Sequence, residues 1–261
     1  MERAGVELPR SVHLAVWLPH LHGSAGQVAR AVSAIEGDDE PHRVAVDDDT
    51  ESPGDTLVDL LAAWGTSLTS VVAVLPVPGD AAGVPPEASV EAVDVGEGVL
   101  VATREGSFVA FPDVEEFGSV HEVGHLVTWR LRSVQAWTER VLGAVGSVAD
   151  AEGELRTALL TATDALDSLD VAQWHPEAAD VISSLRSPVD PAWQLPSELD
   201  ARRARVIALA ARLRVIVELA TTDSGGALNL WQADQRAAAL RHIDNAARRA
   251  MSAATLMMLQ P

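Results

Sequence analysis

Beyond about Ala136 the spacing of apolar residues turns helical, and that change limits the fold more than any motif does. Before it, short strand-like runs alternate with helical segments; after it apolar residues recur at intervals of three and four. Runs rich in β-branched, aromatic and aliphatic residues at 12–18, 42–46 and 71–75 predict three strands. Between them Val28, Ala31, Val32 and Ile35 predict a helix over 24–35. A second helix is predicted over 56–64, ending at Gly65 and opened by Ser52-Pro53-Gly54-Asp55 with the serine as N-cap. The first 75 residues thus read β-α-β-α-β, the pattern of a small parallel sheet. A Pro/Gly-rich loop covers 76–88, and strands at 99–103 and 107–111 flank Arg104-Glu105-Gly106, a three-residue hairpin with Gly106 free to take a left-handed conformation. Val127, Trp129 and Leu131 alternate with polar residues, the period of a strand with one buried face.

Past the change of period, Leu155, Leu159, Ala162, Leu166 and Leu169 form one stripe, opened by Ser147 as N-cap with Asp150 at the third helical position. Residues 197–200 cap a helix running to about Ala220 that is apolar over most of its circumference. Gly225-Gly226 turns the chain back, and Leu240, Ile243, Ala247, Ala250, Ala254 and Met257 make a narrow seam for close helix packing. The expected architecture is therefore an α/β domain with a mixed sheet over 1–137, followed by an all-α helical region over 138–261.

Composition removes whole branches of chemistry. The chain has no lysine, cysteine or tyrosine, so all 19 basic side chains are arginine. Phosphate loops of the Walker type, Schiff bases, thiolate nucleophiles, disulfides and Cys-ligated metals cannot be built. The formal net charge of -19 opposes binding to a phosphate backbone. Charge is uneven: residues 200–261 hold nine arginines against five acids, whereas the preceding 199 hold ten against 33. No signal peptide and no membrane span is read, and a bacterial, cytoplasmic, acidic protein is expected. Tryptophans at 17, 64, 129, 137, 174, 193 and 231 are expected as core anchors, with the polar surroundings of Trp231 suiting an interface.

His121-Glu122-Val123-Gly124-His125 spells H-E-x-x-H and resembles the zincin metallopeptidase signature. The resemblance implies that His121 and His125 hold zinc while Glu122 activates water. That chemistry requires a helix, where positions i and i+4 stack; on a strand the two stand about 13 Å apart, too far for one ion. Val120, Val123, Val127 and Trp129 favour a strand or its turn, so a chance match at a strand edge is the expectation. His20-Leu21-His22, placed after the first predicted strand and before the helix that starts past Gly26, marks a possible small-ligand or anion position. Asp38-Asp39-Glu40 and Asp47-Asp48-Asp49 are expected as solvated loop acids, and Gly96-Glu97-Gly98 runs into a strand and so fails as a dinucleotide motif.

The leading expectation is a non-catalytic soluble binding or assembly protein. It would use a small-ligand site near the first strand-helix loop, or a homo-oligomer or protein interface on the arginine-bearing last helices. Second comes a zinc-dependent hydrolase using His121, Glu122 and His125. Nucleic-acid binding through Arg202, Arg203, Arg205, Arg248 and Arg249 conflicts with the overall charge. No metal, cofactor, nucleic acid or membrane is expected as a partner.

Overall fold

A computed structural model describes residues 6–21, 24–47, 52–119, 122–169, 190, 193–222 and 230–259, with the backbone alone for 161–169, 222, 230–233 and 235–236. Its contacts divide into two compact units. One takes in 9–145, 194–199 and 255–261; the other takes in 1–8, 146–193 and 200–254. No helix among the described residues is long and apolar enough to cross a membrane.

The first unit is built on a six-stranded mixed sheet. Its strands are β1 (Arg43–Val46), β2 (Leu68–Val74), β3 (Gly98–Thr103), β4 (Ser107–Ser119), β5 (Glu122–Val134) and β6 (Met257–Met258). They lie in the order β1-β5-β4-β3-β2-β6. Strands β2 to β5 form an antiparallel meander, and only β1 against β5 is parallel. The expected β-α-β-α-β start is therefore not observed. Residues 12–18 are not a strand: Arg10–Trp17 forms α1, entered through Pro9, whose carbonyl accepts from the N–H groups of Val12 and His13. The sequence misleads here because α1 is buried nearly all round and touches β2, β3 and β4. A short helix buried on all sides has no polar face to reveal its period.

Helices α2 (Ala25–Glu36) and α3 (Leu57–Ser67) occupy the positions expected of them. The start of α3 differs in detail. Thr56, not Ser52, is the N-cap, and it makes a reciprocal capping box with Asp59. The helix also runs past Gly65, where a side chain would press on Leu21, so this glycine serves close packing instead of termination. The β3–β4 hairpin is present, but Gly106 stays out of the left-handed region. Thr103 holds the turn instead, its hydroxyl accepting from the backbone N–H groups of Glu105 and Gly106. Helices α4 (Ser89–Val95) and α5 (Thr138–Val145) complete this unit.

Among its described residues the second unit is built mainly of helices. Ser147 caps α6 (Val148–Leu169) with Asp150 as anticipated, and Leu155 and Ala158 are buried. Asp200 opens α7 (Ala201–Thr222), accepting from the N–H groups of Arg202 and Arg203. The middle of α7, from Val206 to Leu213, is largely buried, whereas its two ends are partly exposed, so the helix is less enclosed than its apolar circumference implies. The last helix, α8, spans Leu230–Thr255 and buries Ile243, Ala247, Ala250 and Ala254 of the expected seam. Met257 does not extend that seam: the helix ends before it, and Met257–Met258 pairs with β2. The Gly225-Gly226 turn lies outside the described residues. Trp17, Trp64, Trp129, Trp137 and Trp193 are buried as anchors, whereas Trp174 and the side chain of Trp231 lie outside the described residues.

Candidate functional site

Where α1, the turn after α2, β1 and β5 converge, a single carboxylate gathers polar side chains. Arg10 donates twice to Asp39, from Nε to Oδ2 at 2.6 Å and from Nη2 to Oδ1 at 2.8 Å. This is the bidentate fork that suits guanidinium to carboxylate. His42 Nε2 lies 3.1 Å from Asp39 Oδ2, and His125 Nδ1 lies 3.1 Å from Oδ1. Behind them, Trp129 Nε1 donates to His42 Nδ1 at 3.1 Å. Glu36 accepts from the His42 backbone N–H at 2.9 Å and so anchors the start of β1.

The tautomer of His42 follows from its partners. An indole N–H only donates, so Nδ1 must carry the lone pair and Nε2 the proton, which points at Asp39. Burial drives the His42 pKa below the ordinary imidazole range, and the pull of Asp39 offsets this only in part. For Asp39, burial alone would raise the pKa, but the hydrogen bonds from Arg10 and His42 together outweigh it and hold the carboxyl ionised below its usual range. Both groups are therefore spent: His42 has no free nitrogen, and Asp39 is saturated by donors. The cluster is a brace and is unsuited to proton transfer. It pins the root of β5 to the rest of the sheet unit, aided by Glu40, whose N–H donates to the His125 carbonyl at 3.0 Å.

From that root a two-stranded ribbon continues. Strands β4 and β5 pair without a break from Ser107↔Val134 to Ser119↔Glu122. The β3 register stops at Val99↔Ala110 and the β1 register at Arg43↔Thr128, so among the described residues 113–119 and 122–127 have no strand partner but each other. Strand alternation places Val114, Glu116, Val123 and His125 on one face, and Asp113, Glu115, Phe117, Glu122 and Leu126 on the other. Val114 is 37% exposed, Phe117 44%, Val123 52% and Leu126 46%, so apolar side chains face outward on both sides. The Phe117 ring covers Gly124, its cross-strand partner, where a side chain would collide with it.

The sequence-derived residues are placed as follows. His121 lies outside the described residues. Glu122 and His125 are on a strand and on opposite faces of the ribbon, so they do not converge as a base beside a zinc ligand. Among the described residues no group of three or more His, Asp and Glu is arranged to hold a metal. His20 closes a short 3-10 turn after α1 instead of a strand, which removes the sheet-end geometry on which a small-ligand site there depended; His22 lies outside the described residues. Asp39, expected as a solvated acid, is the hub of the cluster, whereas Asp38 and Glu40 beside it are exposed. The grouping of Arg10, Asp39, His42, His125 and Trp129 escapes a reading of motifs because its members are far apart in sequence, and Asp39 and His125 each fall within another motif. The i,i+3 spacing of Asp39 and His42 is the one local signal.

The arginines of the last helices are largely engaged inside the helical unit. Arg202 meets Glu152 at 2.6 Å, Arg248 meets Asp244 at 2.8 Å and Arg249 approaches Glu154 at 3.5 Å. Arg203 donates to the carbonyls of Ala253 and Ala254, capping the C-terminal end of α8.

A division into an N-terminal and a C-terminal domain is recognised from sequence families. Residues 11–142 match the Rv1486c-like protein, N-terminal domain, and 149–252 match the Rv1486c-like protein, C-terminal domain. The chain belongs to the Rv1486c-like family. In this Rv1486c-like chain the ribbon and all of the Asp39 brace except Arg10 fall within the N-terminal family domain, and the arginine pairs within α6 to α8 fall in the C-terminal one. No curated protein and no solved structure matches it.

Proposed function

We propose that this Rv1486c-like chain is a non-catalytic binding protein that engages a protein partner through the β4–β5 ribbon. The observation that carries the reading is the exposure of Val114, Phe117, Val123 and Leu126 on a ribbon that pairs with no further strand among the described residues. A two-stranded hairpin is marginal in water, and aromatic and aliphatic groups left outside a folded unit gain most when a partner covers them. The brace beneath it supports the same reading, because His42 and Asp39 are committed to holding the root rigid, and a rigid contact element loses little entropy on binding. An interface on the arginine-bearing last helices is less favoured, since Arg202, Arg203, Arg248 and Arg249 already have partners.

The test is co-purification from the producing cell. A partner at fixed stoichiometry should accompany the intact chain and be lost in a Phe117→Ser, Leu126→Ser double variant whose circular dichroism is unchanged. Retention of the same partner by the variant would move the interface elsewhere. Zinc-dependent peptide hydrolysis by the purified chain, lost on Glu122→Gln, would replace this reading with the hydrolase.

A further inference from the structure

Backbone direction along the ribbon is set by two hydrogen bonds at its root. Asp47 N–H donates to the carbonyl of Leu131 and Glu40 N–H to that of His125, so the odd-numbered residues of β5 turn their backbone groups away from β4. In an antiparallel ladder N–H and C=O of one residue point the same way, and residues directly opposite each other face alike, both toward the shared ladder or both away from it. The partners of His125, Val127 and Trp129 are Glu116, Val114 and Pro112, and these with Gly118 turn their backbone groups away from β5. On that side β3 has already ended. Pro112, which has no N–H, stands where β3 ends, so the ladder loses nothing there. Beyond it, the outer edge of β4 offers N–H and C=O groups of Val114, Glu116 and Gly118 as a strand template.

The side chains beside that edge decide what fits. Asp113, Glu115 and Phe117 flank it on one face, Val114 and Glu116 on the other, and no cation lies within 113–119. A second copy pairing β4 with β4 about Val114, Glu115 or Glu116 sets carboxylate opposite carboxylate, which destabilises a sheet. The acids also repel an anionic membrane or nucleic acid. A strand that alternates cationic with apolar residues meets complementary groups on both faces.

Resting on the proposed ribbon interface, we infer that the occupant is an extended basic and apolar polypeptide segment, added as a strand to the outer edge of β4. Specificity comes from the acids and from Phe117, affinity from the main-chain ladder.

The probe is a ten-residue peptide alternating arginine with valine, compared with one alternating glutamate with valine, titrated into the full chain with amide hydrogen exchange as the readout. The basic peptide should slow exchange of the Val114, Glu116 and Gly118 amides by about tenfold or more, and the acidic peptide should not. N-methylation of alternate peptide nitrogens should abolish the effect, and Glu115→Arg with Glu116→Arg should reverse the peptide preference. Equal response to both peptides, or binding that survives N-methylation with no protection of those amides, overturns the edge-strand inference. If that happens while partner co-purification still depends on Phe117 and Leu126, the ribbon interface stands and only strand addition falls. Protection of α7 or α8 amides instead would sink both.

Discussion

His42 shows how a single buried residue sets protonation and architecture together. It accepts from Trp129 and donates to Asp39, so its removal strands an indole N–H in the core and takes away one of the two donors to Asp39 Oδ2. His42→Ala should cost about 2–4 kcal/mol of stability, through lost contacts plus an unsatisfied buried donor. Denaturant unfolding measures this, and a loss under about 1 kcal/mol would deny the brace its structural weight. His13 on α1 makes a complementary case. It is buried, its Nδ1 has no hydrogen-bond partner, and burial, helped by the Arg10 charge, lowers its pKa to about 4. A histidine whose folded pKa is depressed contributes fully above its unfolded value, and that contribution is lost as pH falls toward the folded value. Stability should therefore decline between about pH 6.5 and pH 4, by about 3 kcal/mol from His13 and by a further part from His42, which shifts in the same direction. His13→Leu should flatten most of this decline, and a variant that keeps the full slope would assign it to other groups. The burial of neither residue is legible in the sequence, because depth of burial is a property of the folded chain.

Among the elements, the ribbon depends on its glycines. Gly118 has φ +99, and a side chain there would run into the Glu122 carbonyl across the turn. Gly118→Ala should destabilise the hairpin tip by more than about 1 kcal/mol, through strain at positive φ together with that collision. Faster amide exchange confined to the 113–127 stretch, with the remaining sheet unaffected, is the expected signature; unchanged exchange would mean that the tip accommodates the methyl group. The alternation of Val127, Trp129 and Leu131 announced β5, and the hairpin from 99 to 111 was legible from its turn, because both signals are local in sequence. The strand expected at 12–18 failed because α1 is buried on nearly every side and carries no polar face to show its period. Gly106 and Ser52 show a smaller version of the same limit. Several residues near each turn are chemically able to cap it, and the observed ones, Thr103 and Thr56, are selected by geometry.

For the molecule as a whole, the last residues matter more than their brevity suggests. Thr255 Oγ1 accepts from the buried Ala73 N–H at 3.0 Å, and Met257–Met258 covers the β2 edge of the sheet. Thr255→Ala should leave that N–H without this acceptor and cost about 1–3 kcal/mol in thermal or denaturant unfolding. Deleting 256–261 should expose the β2 edge and promote concentration-dependent association visible by light scattering. A deletion variant that stays monomeric would show that the edge is protected by other means. What the sequence determined unaided was chemical and periodic: no lysine or cysteine chemistry, strong acidity, and a mixed sheet preceding a helical stretch. These follow from composition and from repeats within a dozen residues, which survive reading in one dimension. Tertiary structure alone decided that Asp39 gathers Arg10, His42 and His125 into one polar centre, that Glu122 and His125 part to opposite faces, and that among the described residues no strand pairs with the outer edge of β4 past the end of β3. Each depends on which strand lies beside which, and that is settled by long-range packing that no local pattern encodes.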